Sequence, residues 1–93
     1  MTVKMQVHAL GEHDYLIQVT EGEEQVEIRI RASTDVVRQL ALPEVDEPRI
    51  VAATAAFLIE RQLAADLPAT LDLDDVAAGY DNYLSELELR LTR

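Results

Sequence analysis

Apolar and polar residues alternate with period two through the first third of the chain. Val3, Met5, Val7 and Ala9 interleave with Thr2, Lys4, Gln6 and His8, which predicts a strand with one buried face. Gly11-Glu12-His13-Asp14 has turn chemistry. Tyr15, Ile17 and Val19 then resume the alternation, with Leu16 an apolar intruder on the polar face. Glu21-Gly22-Glu23 predicts a second turn, in which Gly22 is free to take positive φ. Val26, Ile28 and Ile30 alternate in turn with Gln25, Glu27, Arg29 and Arg31. Connections this short join antiparallel neighbours, so residues 1–32 read as a three-stranded meander. One face is apolar, and such a face needs a helical layer to cover it.

The period changes after Ala32. Ser33 or Thr34 can cap a short helix that turns Val36, Val37 and Leu40 inward and stops before Leu42-Pro43. A longer helix is expected over Asp46–Leu67. Asp46 is its cap, Pro48 lies in its first turn, and Val45 with Ile50 forms a hydrophobic staple. At roughly 100° per residue, Ile50, Val51, Phe57 and Leu58 share one side while Ile59, Leu63 and Leu67 lie nearly opposite. A helix apolar on two sides must be buried on two sides, so this is read as the central helix. A last helix is predicted from Asp72, its cap, to Arg93. Leu71 and Val76 form its staple, and Asp74 and Asp75 suit the positive end of the helix dipole. Val76, Tyr80, Tyr83, Leu84, Leu87 and Leu91 form its apolar stripe, with Gly79 a weak point off that stripe. The expected fold is α+β in the order βββααα: one domain over residues 1–93, with a meander over 1–32 and a helical layer over 33–93.

Composition narrows the functional classes. Hydrophobic residues make up 48% of the 93, which places the chain among globular domains. No cysteine is present, so disulfides, thiolate metal ligands and cysteine nucleophiles are excluded. The opening MTVKMQVHAL lacks the features of a signal peptide, and Glu60 and Arg61 interrupt the best apolar stretch. A cytoplasmic protein that does not span a membrane is expected. The net charge of −10 is spread along the chain and repels nucleic acid and anionic membranes. Only Lys4, Arg29 and Arg31 are placed to share the outer sheet face as a basic patch, and Glu27 lies among them.

Residues able to do chemistry are few. His8 belongs to a polar strand face, and His13 lies between Glu12 and Asp14 in a turn, where neighbouring side chains do not converge on one ion. Asp72-Leu73-Asp74-Asp75 has the acids of a calcium loop without its glycine and distant glutamate, and helix capping explains them. The hairpin tip Glu21-Gly22-Glu23-Glu24 reads as solvated. Ser33 is a cap, Ser85 is on a polar helix side, and neither is placed near a histidine. Gly11, Gly22 and Gly79 are too far apart to cradle a phosphate. No enzymatic activity, metal or cofactor is expected.

The anomaly is surplus apolar surface. Leu16 is expected on the outer sheet face, Leu89 lies opposite the stripe of the last helix, and Tyr80 and Tyr83 sit one turn apart. Tyrosines so spaced fill cores and also occur at binding surfaces. Leu16, Leu89, Tyr80 and Tyr83 are therefore the candidate interface residues, and a homodimer is the commonest use of such a surface. Two other functions compete with this one. The acidic surface would suit an antitoxin-like or nucleic-acid-mimic protein that neutralises a basic partner. A small-ligand domain would instead need a pocket between sheet and helices near Tyr15, Tyr80 and Tyr83.

His13-Asp14-Tyr15, Thr20-Glu21-Gly22, Leu42-Pro43, Phe57-Leu58-Ile59-Glu60-Arg61 and Glu88-Leu89-Arg90-Leu91 together resemble a group of short uncharacterised proteins of high-GC Gram-positive bacteria. Seven arginines to one lysine, with many alanines, fit a GC-rich coding sequence. The resemblance implies a bacterial cytoplasmic protein and carries no activity or ligand with it.

Overall fold

The structure, a computed structural model of the chain, describes residues 3–40, 42–62 and 66–92. The predicted meander is present as β1 (Val3–Gly11), β2 (Asp14–Glu21) and β3 (Glu24–Arg31), paired antiparallel in sequence order. Val7, Ile17 and Ile28 stand in one inward row, and Met5, Val19 and Val26 in the next. Gly22, with φ 60, takes the first position of the two-residue loop between β2 and β3, where a type II′ turn requires positive φ. In the first turn the left-handed residue is His13, with φ 63, and not Gly11 two residues before it.

The βββααα order is corrected by a fourth strand. After α1 (Thr34–Leu40) and α2 (Glu47–Ile59) the chain returns to the sheet as β4 (Thr70–Asp72), parallel to β3, giving a mixed sheet of order β1-β2-β3-β4. Only Leu71 of these three residues shares the inward row, opposite Ile30. Asp72 is both the end of the strand and the cap of the next helix, accepting from the Asp74 N–H at 3.1 Å. A strand this brief has no room to display alternation.

Two helix lengths also differ from expectation. α2 begins as predicted, with Asp46 accepting from the Arg49 N–H at 3.3 Å, but it ends at Ile59 and does not continue to Leu67. The chain tightens there, the Arg61 and Gln62 N–H groups both reaching the Leu58 carbonyl. Leu63 lies outside the described residues. The predicted last helix is two helices, α3 (Leu73–Gly79) and α4 (Tyr83–Leu91). Gly79 is the last residue of α3, and Tyr80 turns extended (φ −132, ψ 111). The low helix propensity of glycine lets the axis break there, while the Tyr80 ring stacks edge-on against Phe57 at 5.4 Å.

α2 packs on β1, β2 and α4, which makes it central as expected. Ile50, Val51, Ala55, Phe57 and Leu58 are buried, and Ile59 is half-buried on the far side. Burying a side chain such as Phe57 stabilises the fold by about 1.5–3 kcal/mol. At the C-terminal end of α2, Glu60 accepts from both terminal nitrogens of Arg90 in α4, at 2.6 and 2.8 Å. That bonding holds the Glu60 carboxyl below its ordinary pKa. The Arg61 guanidinium lies 3.6 Å from the Phe57 ring centre and donates to the Phe57 carbonyl.

Candidate functional site

The four sequence-selected interface residues do not form one surface. Tyr83 is 0% exposed, which corrects its place among the interface candidates. Its hydroxyl lies 2.8 Å from Thr54 Oγ1, and Thr54 donates its own proton to the Ile50 carbonyl at 2.8 Å. A hydroxyl has one proton to give, so Tyr83 donates to Thr54. Burial pushes the Tyr83 phenol up to about 12. Tyr80 is half-buried and accepts from Gln62 Nε2 at 3.1 Å, so it too is bound into the fold. Leu16 is half-buried in the outer sheet face, between His8 of β1 and Arg29 of β3. Leu89 remains, at 60% exposed, and Leu10 joins it at 50%. Leu10 was not singled out by the sequence because it continues an apolar pair, Ala9-Leu10, just before a turn.

His13 reaches out of its turn to α2. Its Nδ1 lies 2.7 Å from Glu47 Oε2 and 3.0 Å from Oε1, and the Tyr15 hydroxyl donates to Glu47 Oε1 at 3.0 Å. The Ala32 N–H also donates to the His13 carbonyl at 2.7 Å. A left-handed histidine is held in place by these bonds, which fasten the first turn to the start of α2. Burial first, then the hydrogen bond and charge of Glu47, push the Tyr15 phenol up to about 12. The contact joins residues 34 positions apart, so no local spacing in the sequence signals it.

Among the described residues, two groups of surface hollows stand out. Two of about 420 and 560 Å³ share Leu42 and Thr92, one reaching Val45, Arg49 and Leu91, the other Leu40, Ser85 and Leu89. The second group is on the β4 side of the sheet. A hollow of about 360 Å³ there is bordered by Asp14, Arg29, Arg31, Thr70, Asp72 and Asp75, and a smaller one of about 180 Å³ adjoins it beside His13, Ser33 and Thr34. Charges of both signs meet in it, Arg29 being paired with Asp14 at 3.2 Å. None of these four hollows is lined by Tyr15, Tyr80 or Tyr83.

The groups with chemical potential are engaged elsewhere. His8 Nε2 meets Gln18 Oε1 at 3.2 Å, and Gln18 in turn donates to Glu27. Ser85 donates to the Asn82 carbonyl. Among the described residues no three His, Cys, Asp or Glu side chains converge as metal ligands, and no helix is long and apolar enough to cross a membrane. Comparison with family models, curated proteins and solved structures found no match.

Proposed function

We propose that the chain is a small, acidic, non-catalytic protein–protein interaction module that self-associates as a homodimer. The carrying observation is a contrast between two sets of side chains. His8, His13, Tyr15, Tyr83, Thr54 and Ser85 are all engaged in hydrogen bonds within the fold, whereas Leu10 and Leu89 stand half or more exposed. Exposed apolar side chains on a chain with few chemically free groups favour association over catalysis. The bacterial cytoplasm, the setting the sequence suggests, belongs to the same proposal. Light scattering from micromolar to millimolar concentration tests it. A mass approaching twice the 10.4 kDa of the chain is expected, and a constant single-chain mass refutes self-association.

A second reading rests on charge. Asp35, Glu44, Asp74 and Asp75 are exposed and, among the described residues, have no ion-pair partner, so the helical side offers free acid to a basic partner. Binding to a basic protein that weakens steeply with salt is expected on this reading, and salt-independent binding removes it.

A further inference from the structure

We infer that two copies of this chain join through the open edge of β1, with a two-fold axis at Val7. The inference rests on the self-association proposed above and specifies its surface. β1 is an outer strand of the sheet, nine residues long, without proline, and with Lys4 as its one residue charged at neutral pH. Natural edge strands are usually blunted by prolines, bulges or several charges. Here the register is regular from Val3 to Ala9 and shifts only between Ala9 and Gly11.

The backbone groups facing that edge follow from bonds elsewhere in the sheet. The Arg29 N–H donates to the Ala69 carbonyl, toward β4, and the Ala32 N–H donates to His13, toward β2. Antiparallel strands alternate the direction of these groups residue by residue. Ile28 and Ile30 of β3 therefore face β2, and their partners Ile17 and Tyr15 face back. Leu16 and Gln18 are left to bond β1, through His8 and Gln6. The N–H and C=O groups of Met5, Val7 and Ala9 then point to the open edge.

The side chains are complementary to their own copy. An axis at Val7 sets the regular stretch Met5–Ala9 against itself, with Val7 opposite the partner subunit's Val7 and Met5 opposite the partner subunit's Ala9 on the helix side. Gln6 meets the partner subunit's His8 on the other side. Met5 and Val7 are only half-buried in one chain and Ala9 is exposed, so this row has apolar surface still to cover. A one-residue slip would turn the two helical layers to opposite faces. Two-residue slips would set Lys4 opposite His8, or His8 opposite itself. Like charge also selects this edge. The chain carries −10, and two copies repel unless they meet where acid is absent, as it is from Val3 to Gly11. Association should accordingly strengthen as salt screens the remaining acid.

The test compares charge patterns at Gln6 and His8, both exposed on the polar face. Gln6→Lys with His8→Lys sets like charges opposite each other twice across the axis. Gln6→Lys with His8→Glu sets opposite charges there. With masses measured by light scattering and folding checked by circular dichroism, the first variant should dissociate about tenfold more readily than wild type. The second should dimerise within about threefold of wild type. Gln6→Glu with His8→Glu repeats the repulsive arm with the other sign, should the lysine variant fail to fold. Dimerisation of a folded like-charge variant as tight as that of wild type overturns the edge and leaves self-association standing. Wild-type chains that stay single at every concentration overturn both.

Discussion

The buried pair Thr54 and Tyr83 offers a test in which donor and acceptor have unequal value. Thr54 donates to the Ile50 carbonyl and accepts from Tyr83, and both residues are 0% exposed. Thr54→Val removes the acceptor and leaves the Tyr83 O–H buried without a partner, a loss of about 1–3 kcal/mol. Tyr83→Phe removes the donor, but the Thr54 proton keeps its carbonyl, so the loss should be about 0.5–1.5 kcal/mol. The double variant leaves neither hydroxyl in place and should cost less than the two single losses added together. Urea unfolding measures the three differences, and thermal melts should track them at roughly 4–8 °C per kcal/mol for a domain of this size. If Tyr83→Phe costs more than Thr54→Val, the assigned bond direction is wrong, and if the two losses simply add, the bond itself is refuted.

Glycine substitutions should act in opposite directions at two sites. Gly79 has no positive φ and an added Cβ there meets nothing within 4 Å, so Gly79→Ala should stabilise by about 0.4–1 kcal/mol; Gly22→Ala, at φ 60, should destabilise by about 1 kcal/mol. Chemical denaturation of both variants reads the sign directly, and a destabilised Gly79→Ala would contradict the place given to that residue. High pH probes the buried phenols. The folded pKa of Tyr83, about 12, lies above the unfolded value near 10, so its contribution is intact below pH 10 and is lost as pH rises through 12. Across that window stability should fall by about 3 kcal/mol through this group. Phenolate absorbance complete near pH 10 in a still-folded chain would contradict that burial.

The meander was legible because its strands are long enough to repeat the alternation and its turns carry polar residues and glycine. The caps at Asp46 and Asp72 were legible because capping is local. What escaped the sequence depends on distance or brevity. β4 contributes one inward residue, Leu71, so no pattern could mark it. The break at Tyr80 needed the Phe57 ring to hold the turned-out tyrosine, and the end of α2 at Ile59 came before an apolar pattern that continues to Leu67. Of the interface candidates, Leu89 was visible as a lone leucine off the stripe. Tyr83 was misplaced, since helical spacing alone does not say whether a tyrosine hydroxyl finds a buried partner such as Thr54. The contact of His13 with Glu47 was not legible because the two lie in different elements.

Backbone amide hydrogen exchange, followed residue by residue at low and high protein concentration, tests most directly whether this chain serves to cover its open surface with a second copy. Lys4, Gln6 and His8 should be protected at both concentrations, because their N–H groups already face β2. Met5, Val7 and Ala9 should exchange quickly in dilute solution and gain protection as concentration rises. Rapid exchange at those three positions at every concentration would contradict the edge, and no concentration-dependent protection anywhere in the chain would contradict self-association itself.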